Sequence, residues 1–559
     1  MPPHPEPPPL LPAEYHRESY TPTETAVLSR FFTNTTEPVF ALINLPEVVK
    51  GALFARYSRT TRSLRRLFLD EFYAAPELGI AHLAAAVEGD EAVRLSRAES
   101  LYERVFTEYG DDSVAQLGSA HLACEQASNV LTKVLERGRL ASYLEQSTRY
   151  LRFDRPLGGR YRYMVPPEVA ASPLAAAYRE TLDGLFAAYA RLADRLEAHY
   201  RRRHPPAGGH DDDAYRASLQ ARACDDVRGL LPAATISHLG IHASGQAYEA
   251  LLLRMRAHPL AEARDYAGRM LVELRRVIPA FLRRVDRPDR GGAWSRYLAE
   301  TARAMEQAAA RLPAAPEPRP EVTLVEWDAD AEAKVAAAAL YPYTDLPDDQ
   351  LLRHARGLPR SEVARLISAY AGERGNRRHK PGRGMERVAY RFDLLCDYGV
   401  FRDLQRHRIL TIEWQRLGTG HGFVTPEGIA EAGEEAEWRR AMEAAGDLHA
   451  RLAGALGADA AQYAVPLAYR IRFCVQLNAR EAFHLLELRT QAGGHPGYRR
   501  VCAEMHRLVA AQAGHRAIAG AMCFVDPGNH GLERLEGERR AEERRRRFTA
   551  EGGAGAAQA

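Results

Sequence analysis

A chain of 559 residues, 46% hydrophobic and 27% charged, has enough apolar material for two or more cores of ordinary domain size. Its 76 Lys and Arg against 73 Asp and Glu leave a net charge of +3, which excludes a global cationic field that would hold polyanions without specificity. Widely spaced cysteines without a C-x-x-C pair argue against a zinc knuckle or disulfide framework, no apolar run reaches the roughly 18 to 20 residues of a membrane span, and a cytoplasmic chain with reduced thiols is expected.

The opening segment, 1–20, is dominated by proline and is expected to be a disordered tail; it lacks the basic-then-apolar order of an export signal. From Val114 to Leu135, the residues Val114, Leu117, Ala120, Cys124, Ala127, Val130, Leu131 and Val134 recur at helical spacing until Gly138 interrupts, which predicts a helix. The Ala/Leu/Arg-rich run from Ser172 to His204 also reads as helix. A proline-rich linker, 312–322, then divides the chain into a first unit over 21–311 and a second over 323–532. In the second, Val388, Tyr390, Phe392 and Leu394 alternate as in a half-buried strand, and a short helical pattern runs from Gly399 to Arg406-His407-Arg408. The charged end, 533–559, predicts a frayed helix or solvated tail; its Arg544–Arg547 cluster lacks interleaved aromatic residues, so no nucleic-acid partner is expected.

The halves look like diverged copies of one unit. Leu231-Pro232 precedes the apolar run Ala250–Leu253, then Arg254 and His258-Pro259; Val465-Pro466 precedes His484–Leu488, then Arg489 and His495-Pro496. Helices around an interposed sheet, without a βαβ alternation, indicate an α+β fold. His258 and His495, each before proline, suit helix-entry turns. His238 and His242 have the spacing of a helical metal pair, and His484 shortly precedes Glu487, but neither pair has an evident third ligand and no metal site is expected. No G-x-G-x-x-G opens a helix after a strand, so a separate dinucleotide domain is not indicated.

The segment Arg137–Arg149 concentrates guanidinium groups, a carboxylate and hydroxyls, a composition suited to a phosphorylated ligand but shared by a helix end with surface ion pairs. The run resembles the signature of the flavin-dependent thymidylate synthases, R-H-R followed by S, N-E, S and R at fixed offsets. Arg137, Arg139, Ser142, Glu145, Ser147 and Arg149 stand in register, with Gly138 replacing the His and Leu144 the Asn. The second half reverses the pattern. Arg406-His407-Arg408 is intact, while Thr411, Glu413, Trp414, Arg416 and Gly418 follow it and the E-x-S-x-R is gone. Asn478-Ala479-Arg480 resembles another flavin-contacting stretch, with His484 and Arg489 at family-like distances. Arg228 matches a nucleotide-contacting arginine whose second-half counterpart is Gln462, and His379 lies about where the family has a His-containing flavin loop.

The resemblance implies two diverged copies of the synthase fold and reductive methylation of dUMP to dTMP, with FAD as cofactor and NADPH and methylenetetrahydrofolate as co-substrates. It assigns Arg406, His407, Arg408, Asn478, Arg480 and His484 to flavin, and Arg137, Glu145, Ser147, Arg149, Arg228 and Arg254 to nucleotide. Arg489 is the catalytic residue, facing the pyrimidine; Arg254 is its first-half match to within one or two residues of the R-M-R run. The family's site is composite, so complementary losses are tolerable in a fused pair, and a homodimer of tandem chains would mimic the family's homotetramer. Two other readings share these residues: a non-catalytic flavin- or nucleotide-binding paralogue, and an enzyme acting on another pyrimidine nucleotide.

Overall fold

The computed structural model describes residues 14–75, 118–206, 213–313 and 315–528, together with Ile80, Gln116 and Arg539. The chain forms two compact units: one from Met1–Leu192, Val227–Ala315 and Gly433–Leu467, the other from Ala193–Asp226, Pro316–Ala432 and Ala468–Ala559. Most of the opening tail and of the C-terminal run, including Arg544–Arg547, lies outside the described residues.

The first unit holds four antiparallel strands, β1 (Val39–Leu42), β2 (Ser119–Ser128), β3 (Ala141–Glu145) and β4 (Ile236–Ser244), in the order β1-β2-β4-β3. Here the helix expected over Val114–Leu135 is corrected. Val114, Ala115 and Leu117 lie outside the described residues; of the rest, Ser119–Ser128 is strand and Asn129–Leu135 is α-helix. Almost every β2 residue is buried, so the two-residue alternation that betrays a half-exposed strand is missing and the apolar positions fall on helical spacing instead. Ser128 ends the strand by capping the helix, its Oγ accepting the Leu131 amide at 3.0 Å, a contact of about 1 kcal/mol. A bulge between Cys124 and Ala127 sets Gln126 at φ 56°, and its amide donates to His238 Nδ1 at 3.2 Å.

Residues 14–20 depart from the expected tail. Tyr15 donates to Asp265 at 2.9 Å, and Gln126 Oε1 accepts the His16 amide at 2.9 Å. The Leu-Pro and Val-Pro steps that marked the repeat pair with each other in this unit. Pro232 and Pro466 form an antiparallel bridge, flanked by Ala233 N–H to Val465 O at 2.8 Å and Leu467 N–H to Leu231 O at 2.9 Å.

The second unit repeats the strand plan with β5 (Val322–Trp327), β6 (Ala389–Asp397), β7 (Leu410–Trp414) and β8 (Arg470–Asn478), ordered β5-β6-β8-β7. The sheets share one α+β design. In β6 the alternation is that expected: Tyr390, Phe392, Leu394 and Cys396 are buried between half-buried neighbours. Asp397 caps the helix Tyr398–Gln405 through the Val400 amide at 2.9 Å, and Asn478 caps Ala479–Arg489 through the Glu481 amide at 2.8 Å. Both strands of the central pair therefore run directly into a helix. The run Ser172–His204 is helical over Ala175–Arg203.

Candidate functional site

The second unit brings three of its assigned residues, His407, His484 and Arg489, together where those two capped helices meet, with Asn478 and Arg480 at the N-terminal end of Ala479–Arg489. His407 comes just after Arg406, the C-cap of the helix Tyr398–Gln405, and is 5% exposed, whereas its neighbours Arg406 and Arg408 are exposed. The last turn of Ala479–Arg489 carries Arg489, whose Nε–H donates to His407 Nε2 at 3.0 Å and whose Nη2–H donates to the Asp403 carbonyl at 2.5 Å. Its guanidinium carbon also stands 5.3 Å from the Tyr498 ring centroid. These contacts use Nε and Nη2 and leave Nη1 without a hydrogen bond among the described residues.

Behind His407 stands Glu481. Its Oε1 lies 3.0 Å from His407 Nδ1 and its Oε2 lies 3.2 Å from His484 Nδ1. A carboxylate only accepts and a guanidinium only donates, so both histidine Nδ1 atoms donate to Glu481, and His407 is a neutral ring with its lone pair on Nε2. Burial drives the His407 pKa down to about 4, the Arg489 charge adding to the effect while Glu481 opposes it. Burial by itself would raise Glu481, but the hydrogen bonds from His407 and His484 hold it below the ordinary glutamate range.

His407, Glu481 and His484 also offer three ligand atoms within 4.8 Å of one another. The hydrogen bonds point elsewhere, because His407 Nδ1 bears the proton and has no lone pair for a cation beside the fixed charge of Arg489. The helical metal pair weighed for His238 and His242 is removed by the fold. Both lie on β4, where four residues span about 13 Å.

A loop is stapled to the outer side of the same helix. Arg374 is bidentate to Glu487, with both oxygens at 2.5 Å, and donates to the His379 and Ala521 carbonyls. Arg480 donates to Pro381 O at 3.0 Å and to Glu386 at 3.3 Å. His379 thus sits in a turn held from both ends. Burial lowers the Lys380 pKa, with Arg480 and Arg377 adding to it and Glu481 opposing.

The first unit differs at the corresponding points. The same sequence interval separates Pro232 from Pro466 and cap Ser244 from cap Asn478, so Met255 occupies the Arg489 position and Arg254 lies one residue before it. Gly138 stands where His407 does. A Cβ there would lie 2.6 Å from the Tyr143 hydroxyl and 3.7 Å from the Arg254 guanidinium, so Tyr143 and Arg254 fill the histidine's space. Burial lowers Arg254, Arg137 adding to the effect and Tyr143 opposing it.

Of the other first-unit residues, Glu145 is 5% exposed at the end of β3 and accepts from Lys133 Nζ at 3.2 Å; Lys133 also pairs with Glu136. Ser147 Oγ accepts the half-buried Arg149's amide at 3.2 Å. Arg137 is exposed, and Arg228 is buried in the short turn Arg228–Leu230. Lys133, Asp403, Glu481 and Tyr498 went unnoticed in the sequence. Only Glu481 carried a signal, the N-x-x-E spacing from Asn478, which announces a helix start rather than a site.

The family model described as thymidylate synthase complementing protein matches residues 71–280 and again 323–513. A UPF0159 protein of Chlamydia muridarum (strain MoPn / Nigg) is 39% identical over 517 residues, covering 92% of this chain and 97% of its own. A flavin-dependent thymidylate synthase of Clostridium tetani (strain Massachusetts / E88) is 28% identical over 174 residues, 31% of this chain and 64% of that protein. Among solved structures, a UMP/dUMP methylase from Streptomyces cacaoi bound with 5-Br dUMP is similar at 20% identity and a TM-score of 0.29, over 36% of this chain and 94% of that one. With two matched segments and two sheets of one strand order, the chain belongs to the thymidylate synthase complementing protein family and carries that family's unit twice.

Proposed function

We propose that the chain is a flavin-dependent thymidylate synthase that converts dUMP to dTMP with methylenetetrahydrofolate and NADPH. The observation that carries the reading is the anchored Arg489, which has two donors committed, its face toward Tyr498 and Nη1 open. Such a group can donate to the O4 and N3 side of a uracil ring and stabilise the negative charge that makes C5 nucleophilic. The partial match to a synthase named for its flavin supports the same reading.

FAD would supply the hydride chemistry once bound. Around its proposed place, exposed Arg408, the Nη2 of Arg480, the Nε2 of His484 and the amide nitrogen of Asn478 make no hydrogen bond among the described residues. The guanidinium and side-chain amide donors suit ring carbonyls and a pyrophosphate, with Arg406 beside them, while His484 Nε2 offers a lone pair to a ring N–H; buried His407 serves them by holding Arg489. Arg137, Ser147, Arg149, Arg228 and Arg254 would bind the nucleotide, and Lys133 would orient Glu145 toward it. Gly138 and Leu144, which replace the residues that the resemblance assigns to flavin, favour nucleotide rather than flavin for the first unit. A cytoplasmic homodimer completes the proposal.

The test is rescue of a thymidine-requiring bacterial strain, with dUMP-dependent oxidation of NADPH by purified protein. Growth and turnover support the reading. Turnover with UMP or dCMP in place of dUMP would move it to another pyrimidine nucleotide, and flavin binding without turnover would leave a non-catalytic paralogue.

A further inference from the structure

The Arg489 anchor works in only one protonation arrangement. Its Nε–H requires a lone pair on His407 Nε2, so the single proton of that neutral ring is on Nδ1, facing Glu481 Oε1 at 3.0 Å. We propose that Glu481 is a positioning residue: by accepting the His407 Nδ1 proton it fixes the tautomer that holds Arg489, and so sets where Nη1 points. The consequence for turnover rests on the synthase reading; the tautomer does not.

Water is a poor substitute for either partner, since His407 is 5% and Glu481 4% exposed. Without the carboxylate, the ring can move its proton to Nε2, where it opposes the Arg489 Nε–H donor to donor. Arg489 then keeps only the Asp403 carbonyl and the Tyr498 ring. The groups facing the carboxylate are His407 and His484 through hydrogen bonds, Arg489 beyond His407, and Lys380 from the stapled loop. The first unit gives an independent indication. Counting from its cap Ser244, Ala247 stands for Glu481 and Met255 for Arg489, while Gly138 stands for His407, so all three members are missing together. Residues that act as one device are expected to be lost as one.

The test uses full-length protein labelled with [15N]histidine, the His407 signals being identified by their loss in His407→Gln. The expected result is an Nδ1-protonated neutral ring whose nitrogen shifts stay constant between about pH 5.5 and 9. Glu481→Gln keeps an acceptor oxygen and retains that tautomer; Glu481→Ala gives mixed or Nε2-protonated tautomers of a ring that stays neutral, because the burial and the Arg489 charge that depress the His407 pKa remain. An Nε2-protonated His407 in the parent, or an unchanged ring in Glu481→Ala, overturns the proposal. If Glu481→Ala does not fold, the parent spectrum still decides the tautomer. In turnover, Glu481→Ala should lower kcat about tenfold with nucleotide KM nearly constant, and should cost nothing further in an Arg489→Ala background. An equal loss in both backgrounds shows a merely structural role and overturns it. A parent without turnover defeats the synthase reading and leaves the nitrogen measurement to decide the tautomer.

Discussion

Tyr463 donates its hydroxyl to Glu262 at 2.7 Å, and the same carboxylate accepts the Ser128 amide at 2.9 Å and hydroxyl at 2.6 Å. Burial nevertheless raises the Glu262 pKa to about 7, the hydrogen bonds opposing it. The folded protein therefore holds this proton more tightly than the unfolded chain, whose value is near 4.5. The stabilisation is full below about pH 4.5 and is lost as pH rises through about 7, an effect on the order of 3 kcal/mol. The urea midpoint of the parent should fall between about pH 5 and 8 relative to Glu262→Gln, and the variant should be the more stable at the upper end. Midpoints are the proper readout, because a chain of two units need not unfold in one step. Identical pH profiles for parent and variant would refute the assignment.

Arg374 and Glu487 form an ion pair whose side chains are 2% and 1% exposed. Removing one partner strands the other charge away from water, at a cost of about 3 to 5 kcal/mol. Arg374→Ala should thus lower the melting temperature sharply, while Arg374→Met with Glu487→Leu should recover much of the loss. The Arg374 link to His379 O also ties the loop down, so protease cleavage within 375–384 should accelerate in the single variant. An unchanged melting temperature in Arg374→Ala would contradict the pairing.

The polar cluster of the second unit was partly legible in sequence because its residues are closely spaced and set in short motifs. Asn478, Arg480, His484 and Arg489 announce themselves within one helix, and the repeated Leu-Pro and Val-Pro steps locate equivalent points that pair in the fold. What escaped depends on burial and partnership. The strand β2 is covered on both faces and so loses its alternation, while Lys133 and Glu481 look like ordinary helix charges until their partners Glu145 and His407 are brought to them. Arg254 could not be registered within R-M-R until the cap Ser244 fixed the start of its helix.

Purified protein should be yellow, its flavin held mainly by second-half residues. Arg408 and Arg480 present guanidinium groups there, and each lost charge-assisted contact weakens a ligand by roughly 1.5 to 3 kcal/mol, about one to two decades. Arg408→Ala with Arg480→Ala should therefore strip the flavin during gel filtration. Full flavin absorbance after that step would exclude these contacts.

The last prediction separates phosphate binding from chemistry. Arg149 follows Ser147, whose Oγ accepts its amide at 3.2 Å, and neither residue touches the ring-facing role assigned to Arg489. Losing a charge-assisted phosphate contact should cost about 1.5 to 3 kcal/mol, so Arg149→Ala should weaken dUMP binding by one to two decades while the flavin stays in place. Arg489→Ala should act differently. Charge on the pyrimidine develops chiefly in the transition state, so kcat should fall much more than dUMP affinity. Titration calorimetry with dUMP and steady-state kinetics on the two single variants distinguish these outcomes. If Arg149→Ala lowered kcat alone and Arg489→Ala lowered affinity alone, the two roles would be exchanged. If both variants matched the parent in affinity and in turnover, neither arginine would touch the nucleotide, and the division between phosphate and pyrimidine contacts would fail.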